Sequence, residues 1–362
     1  MRVREIARRI TNKRAGSGVM YRAGVVGCGR IGCGFDDDPL RGTVSTHAGA
    51  YARTPGVELA ALCDSDKQKL ERYGEKFGVP ARYTNFTYML DKEKLDIVSI
   101  CTLSPTHLEI ARAAVESGVR AIFCEKPIAE SLNAADEMIR LCAENNIVLL
   151  IDHQRRFDPF HQRTAAFLRE GGLGRIQQVT CYYTAGVTNT GTHLFDLLRL
   201  YLGDVKWVEG RISANASVND ADPNIDGWLG FADGAVAAIQ ACDVRAYTIF
   251  EIHLLGTKGR LRATSHGLSV EFEEVRDSQR YSGYRELFHT ALPIVTDGSR
   301  ELMLNGVAHL LDCLKNGQKP ASGGEDGRAA LEIICALSQS ALECGKRVEI
   351  PLVETSLNIG SK

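Results

Sequence analysis

From Tyr21 onward, short apolar runs alternate with longer stretches of helical periodicity. Tyr21–Val26, Val57–Cys63, Asp96–Leu103, Arg120–Cys124 and Ile147–Ile151 read as buried strands. His107–Ser117 and Leu132–Glu144 read as helices, the first opened by Ser104-Pro105-Thr106, where a first turn tolerates proline. Strands alternating with helices of this length predict an α/β domain, a doubly wound parallel sheet with right-handed crossovers. Beyond Arg175 the pattern changes. Ile176–Thr184, Val205–Ile212, Gly227–Phe231, Ala235–Ala241, Phe250–Leu255 and Leu268–Glu274 read as strands with few helices between them, and Asp233-Gly234 as a hairpin turn. Leu302–Asn316 and Ala329–Leu342 read as helices, and Val348–Leu352 as a last short strand. The expected organisation is a basic arm over 1–20, a dinucleotide-binding Rossmann domain over 21–152, and a substrate-binding and oligomerisation domain over 153–362.

The arm carries Arg2, Arg4, Arg8, Arg9, Lys13 and Arg14, with Val3, Ile6 and Ile10 at helical spacing. A short amphipathic helix or loose arm is the preferred reading over a targeting segment; the long apolar core of a secretory signal is missing. The 362 residues are 44% hydrophobic and 24% charged with a formal net charge of −2, which gives no pull toward nucleic acid or a membrane surface. No run approaches the roughly 18 apolar residues of a membrane span. The 11 cysteines form no Cys-x-x-Cys pair, and most sit in apolar segments. Buried, reduced thiols in a cytoplasmic protein account for them.

The first strand ends on Gly27-Cys28-Gly29-Arg30-Ile31-Gly32. Gly27 permits a tight turn, Gly29 lets the backbone approach a pyrophosphate, and Gly32 lets the following helix pack close. A helix N-terminus directly after them would meet the phosphates. Asp64 ends the second strand, where a carboxylate accepts bonds from both ribose hydroxyls and repels a 2′-phosphate, favouring NAD over NADP. Its distance from the glycines exceeds the usual spacing of about 20 residues. The excess, Phe35 to Thr46 with Asp36-Asp37-Asp38-Pro39, reads as an inserted, solvated acidic loop, not a metal site.

Phe123-Cys124-Glu125-Lys126-Pro127-Ile128-Ala129 and Pro105-Thr106-His107-Leu108-Glu109 resemble the Gfo/Idh/MocA oxidoreductase family. His153-Gln154-Arg155-Arg156-Phe157 with Pro159, Gly172-Leu173-Gly174-Arg175-Ile176 and Gly191-Thr192-His193-Leu194-Phe195-Asp196 continue the resemblance, which spans Val25 to Leu352. It implies a second α/β domain built on a large, mostly antiparallel open sheet. It also implies that Thr102, Pro105, His107, Glu125 and Lys126 complete the cofactor side with Gly27, Gly29, Arg30, Ile31, Gly32 and Asp64. Lys126 would meet the reacting oxygen, where an ammonium stabilises developing alkoxide charge. His193 would handle the proton, since imidazole titrates near neutral pH. Asp196, three residues on, would orient that ring or bind substrate. His153, Arg156, Thr192 and Tyr183 are further substrate-pocket candidates, with an interdomain salt bridge as the other reading of Arg156. Many family members carry aspartate four positions before this histidine. Here the residue is Asn189, which holds a hydroxyl but takes no proton; either acid/base work shifts to His193 and Lys126, or redox turnover is weakened.

The expected function is an NAD-dependent dehydrogenase or reductase acting on a secondary alcohol of a sugar, cyclitol or nucleotide sugar, working as a homodimer or homotetramer. Two alternatives remain: a redox-neutral, NAD-retaining glycoside hydrolase on the same fold, and a non-catalytic dinucleotide-binding sensor.

Overall fold

A computed structural model describes residues 20–294, 301–353 and 358–359. Apart from Met20, the expected basic arm lies outside them. The apolar runs of the first domain become six parallel strands: β1 (Tyr21–Val26), β2 (Val57–Cys63), β3 (Ala81–Tyr83), β4 (Ile97–Ile100), β5 (Ala121–Cys124) and β6 (Val148–Ile151). Their order is β3-β2-β1-β4-β5-β6. The order reverses between β1 and β4, so a crevice opens at the C-terminal ends of those strands. Every residue of β4 and β5 is buried, as expected of strands covered on both faces.

Helices α1 (His47–Arg53), α2 (Lys67–Phe77), α3 (Phe86–Glu93), α4 (His107–Glu116) and α5 (Leu132–Glu144) join these strands. Met89, Ile110, Ala114, Leu132 and Met138 pack from α3, α4 and α5 onto Val98, Ile100, Ile122 and Cys124. Tyr51 and Leu70 from α1 and α2 cover the other face with Val25, Ile97 and Phe123.

The expected helix directly after the glycines does not form there. A turn and a short 3₁₀ segment, Gly34–Asp37, follow instead, and α1 begins only at His47. The insertion splits the first helix: the carbonyls of Ile31 and Gly32 accept from the N–H groups of His47 (3.1 Å) and Ala48 (3.0 Å). Nor is the acidic loop merely solvated. The Asp36 carboxylate accepts from Ser45 N–H and Thr46 Oγ1, both at 2.7 Å. Asp37 accepts from Arg72 (2.8 Å), Tyr73 (3.1 Å) and Lys76 (2.6 Å) on α2.

The second domain adds α6 (Pro159–Arg169) and α7 (Thr192–Leu202) to a nine-stranded sheet. Its strands are β7 (Ile176–Tyr183), β8 (Val205–Ile212), β9 (Ile225–Phe231), β10 (Val236–Ala241), β11 (Phe250–Gly256), β12 (Gly259–Thr264), β13 (Ser269–Asp277), β14 (Arg285–Thr290) and β15 (Val348–Glu349). The order is β14-β13-β12-β11-β7-β10-β9-β8-β15, antiparallel except where β7 meets β10. Strands β12 and β14 escape the apolar pattern because one sheet face is open, and their alternate positions are charged or polar. Helix α8 (Leu302–Asn316) returns to the first sheet, where Met303, Val307 and Leu310 pack against the β1–Phe123 face. Helix α9 (Gly324–Leu342) starts five residues ahead of the apolar signal at Ala329, because the Asp326 carboxylate accepts from the Gly323 N–H at 3.1 Å and caps the turn.

Arg156, just past β6, ties α7 to α9. Its Nε donates to both carboxylate oxygens of Asp196 on α7 at 2.8 Å, and Nη1 lies 3.1 Å from Asp326 on α9. Asp196→Asn leaves this buried guanidinium paired with the Asp326 carboxylate and the backbone carbonyls of Ala321 and Asp196. We expect a loss of about 3 kcal/mol, at the low end for breaking a buried pair, in denaturant melts, with NAD affinity by fluorescence titration unchanged.

Candidate functional site

The glycine turn sits at the mouth of the crevice. Gly27 has φ +99°, and a Cβ there would lie 2.6 Å from the carbonyl oxygen of Cys101 at the end of β4. On Gly32 it would strike the Gly27 carbonyl at 1.9 Å, whereas on Gly29 it would meet no atom within 4 Å. The loop is therefore packed below and open above, which fits a pyrophosphate seated over Gly29. Asp64 lies beside it, its carboxylate accepting from the N–H groups of Cys28 (2.7 Å) and Asp66 (2.9 Å). That position suits the ribose hydroxyls of NAD. Arg30 stacks on the Phe35 ring at 4.6 Å, and half-buried Ile31 packs onto the apolar core below.

Across the crevice, Thr102 and Pro105 line the turn after β4. The buried His107 ring ties that turn to the segment after β5: Nε2 lies 3.1 Å from the Thr102 carbonyl and Nδ1 3.2 Å from that of Ile128. His107 thus holds the two strand ends together from beneath.

Lys126 leaves the end of β5 and reaches the second domain. Its Nζ donates to the Asn189 carbonyl (2.9 Å) and Asn189 Oδ1 (3.3 Å). Asn189 belongs to a π-helical turn, Val187–Gly191, that runs directly into α7 and His193. Asp222 fixes that turn, accepting from the N–H groups of Thr188 (2.7 Å) and Asn189 (2.9 Å). Its approach requires glycine at 186, where φ is +98° and a Cβ would lie 2.1 Å from Asp222 Oδ2. His193 is half-buried on the first turn of α7, edge-on to the His153 ring at 5.8 Å.

The remaining pocket candidates belong to the scaffold. Tyr183 is fully buried, its hydroxyl donating to the Ile225 carbonyl (2.8 Å) and accepting from the Ile225 N–H (2.7 Å). Asp196 is taken up by Arg156 and lies 3.6 Å from His153 Nδ1, so it backs His153 where His193 was expected. His153 Nε2 is 3.0 Å from the Thr192 hydroxyl, and burial pushes its pKa down, keeping the ring neutral.

Beneath Lys126 lies a cluster of which the sequence motifs marked only Glu125, expected on the cofactor side and found buried against His47. His47 Nε2 is 3.1 Å from Glu125 Oε1 and 3.8 Å from Asp152 Oδ2. His47 Nδ1 is 2.8 Å from the Ser99 hydroxyl, which lies 2.8 Å from the Tyr51 hydroxyl. All five side chains are buried. Burial disfavours the Glu125 carboxylate, but the His47 hydrogen bond and the Lys126 charge override it and hold the group at about 2. Asp152 goes the other way, pushed well up by burial and by the Glu125 charge. Burial lowers Lys126, while Glu125, Asp152 and Asp222 pull it back up and Arg155 pushes it down. The clue to this cluster was positional: Glu125 and Asp152 each follow an apolar run, and β5 and β6 are neighbours with Cys124 opposite Ile151. Asp222 lies outside any motif that would have marked it, and Arg155 sits in the His153–Phe157 stretch without a role assigned to it.

Among the described residues no helix is long and apolar enough to cross a membrane. Residues 21–153 match an oxidoreductase family with an NAD-binding Rossmann fold, and residues 184–262 match the GFO/IDH/MocA C-terminal domain. D-apiose dehydrogenase of Paraburkholderia graminis is 28% identical over 90% of this chain and 89% of its own length. Myo-inositol 2-dehydrogenase of Thermotoga maritima is 25% identical over 89% and 96%. In fold, the chain is similar to the WlbA dehydrogenase of Bordetella pertussis, solved with NADH and UDP-GlcNAcA, at TM-score 0.73 and 22% identity over 92% of this chain and 99% of that one. With both domains matched in order and the glycine turn and Lys126 facing one crevice, the chain belongs to the Gfo/Idh/MocA oxidoreductase family.

Proposed function

We propose that this chain is an NAD-dependent dehydrogenase or reductase acting on a secondary alcohol of a sugar, cyclitol or nucleotide sugar. The observation that carries the proposal is the bond from Lys126 to Asn189, which brings a Rossmann-strand ammonium to the turn that leads into His193. Relatives named for D-apiose and myo-inositol support a polyol substrate. Gly27, Gly29, Gly32 and Asp64 would hold NAD, with Thr102 and Pro105 on the opposite wall. Bound nicotinamide supplies the hydride acceptor or donor. Lys126 would then hydrogen-bond the reacting oxygen and stabilise its negative charge. His193 would exchange the hydroxyl proton, with Asn189 positioning the substrate. His153 and Thr192 would brace His193 from behind.

The open face of the second sheet supports self-association. Trp228, Ala238, Thr180, His253, Arg262 and Glu271 form one cross-strand row on it, and Trp228 is 47% exposed. Two copies packed through this face would make the dimer, and two dimers a tetramer. Nine of the eleven cysteines are buried thiols and none is in a disulfide, which supports a cytoplasmic location.

Lys126→Met should lower kcat by about 10²–10³-fold while leaving NAD affinity within twofold. The assay is nicotinamide absorbance against myo-inositol, D-apiose, D-glucose, D-glucuronate and a UDP-sugar. Undiminished turnover would remove Lys126 from the reaction. In sedimentation velocity the wild type should run as a dimer or larger and Trp228→Asp should shift toward monomer; a monomeric wild type refutes the assembly.

A further inference from the structure

We infer that Asp222 is a positioning residue of the reaction: with its neighbours Pro223 and Asn224 it brackets the turn before α7, so that Asn189 meets Lys126 in one fixed orientation. The inference rests on the reading of Lys126 given above.

At the start of a helical stretch the first N–H groups find no acceptor within it. Here four in a row, at residues 186–189, are all met by one tripeptide. Gly186 N–H donates to Asn224 Oδ1 (2.9 Å), Val187 N–H to the Pro223 carbonyl (3.1 Å), Thr188 N–H to Asp222 Oδ1 (2.7 Å) and Asn189 N–H to Asp222 Oδ2 (2.9 Å). Only from Thr190 does the turn bond itself, with the Thr190 and Gly191 N–H groups both donating to the Gly186 carbonyl at 3.1 Å. Asp222 is 2% exposed, so water does not compete for its oxygens. Each oxygen takes the N–H of a different residue. The backbone at Thr188 and Asn189 therefore cannot rotate without breaking a charge-assisted bond.

The bracket is itself anchored. Asn224 Nδ2 donates to the carbonyls of Asn215 (3.2 Å) and Ala216 (3.0 Å), past the end of β8, and of Cys242 (3.3 Å), past the end of β10. The Asn224 carbonyl accepts from Ser213 N–H at 2.9 Å, and the next residue, Ile225, is held by the Tyr183 hydroxyl. A line of bonds thus runs from the second sheet through Asp222 and Asn189 to Lys126 Nζ, which lies 2.9 Å from the Asn189 carbonyl and 3.3 Å from Oδ1. Asp222 acts through Asn189 and is a positioning residue, not a catalytic one. Lys126 stays an ammonium throughout, and proton exchange stays with His193. The two Asn189 acceptors favour that ammonium, and the charged groups facing it are Glu125, Asp152, Asp222 and Arg155.

Two variants loosen the bracket in different ways. Asp222→Asn keeps the shape but turns one acceptor oxygen into a donor, so one of the two N–H bonds is lost. Gly186→Ala leaves the Asp222 charge in place but puts a Cβ 2.1 Å from Oδ2, where φ is +98°. With the fastest substrate of the panel, both should lower kcat by about 10–10²-fold, with NAD affinity by fluorescence titration within about twofold. Both should also move the alkaline limb of turnover to lower pH, because an ammonium that loses acceptors gives up its proton more easily. A bracket that only stabilises the fold would lower the melting temperature and leave that limb in place, which overturns the inference. So does a shift in Asp222→Asn alone, since charge and not position would then be at work. In the Lys126→Met background the positioned group is gone, and Asp222→Asn should cost less than about twofold in kcat; the full loss there overturns the inference. An active Lys126→Met instead overturns the reading of Lys126 on which it rests. A second readout needs no turnover. Acetylation of Lys126 by acetic anhydride in the NAD-bound protein, followed by peptide mass spectrometry, should run several-fold faster in both variants than in wild type. Equal rates overturn the inference.

Discussion

The hydrogen bonds from Lys126 Nζ to Asn189 are the contact on which the rest of the site depends. They cross from the end of β5 to the turn that starts α7, so they set where the two domains meet. An ammonium group in a half-closed crevice must keep its donors occupied. Two of its acceptors come from one residue, and that residue's own N–H is fixed by Asp222 at 2.9 Å. The turn is wide and its residues would otherwise have several conformations; the Asp222 bonds to two successive N–H groups remove that freedom. Arg156 does the complementary work below, where its bond to Asp196 keeps α7 against the end of β6.

The scaffold was largely legible from apolar periodicity. Strands β1 and β2 and helices α5 and α8 fall where the apolar pattern places them, because both faces or one continuous stripe are buried. Strands β12 and β14 were missed for the reverse reason: on a sheet with one open face, half the positions are free to be Arg, Glu or His. The first helix was misplaced because glycine chemistry predicts only its beginning. Nothing local shows that Ile31 and Gly32 would pass their carbonyls to His47 and Ala48, each sixteen residues later.

The site was legible where residues sit in short motifs and opaque where it is assembled from distant ones. The Glu125-Lys126-Pro127 run and the stretch around His193 carry their chemistry in order and spacing. Arg156 and Asp196 have the same kind of signature, yet they are spent on each other. A charged pair of complementary shape at a domain boundary satisfies both partners without a ligand, so proximity to a pocket in sequence does not decide which way such groups point. Tyr183 shows the same effect for a hydroxyl: once its oxygen exchanges two bonds with Ile225, burial costs little and the side chain serves packing.

The insertion after the glycine turn has a consequence at the chemistry. His47 opens the resumed helix, and its ring is fully buried against Phe123 at a centroid distance of 4.5 Å. Asp36 caps that helix through Thr46, so a loop far out on the mouth fixes the ring that contacts Glu125. Glu125 in turn bears on Lys126. A carboxylate at position 189 would add a second negative group next to Asp222 on the pocket side. With asparagine there, the negative charge near Lys126 lies mainly behind it, in Glu125, and beside it, in Asp222. Charge behind an ammonium stabilises it without competing for the substrate oxygen, which leaves the front of Lys126 to the reacting hydroxyl.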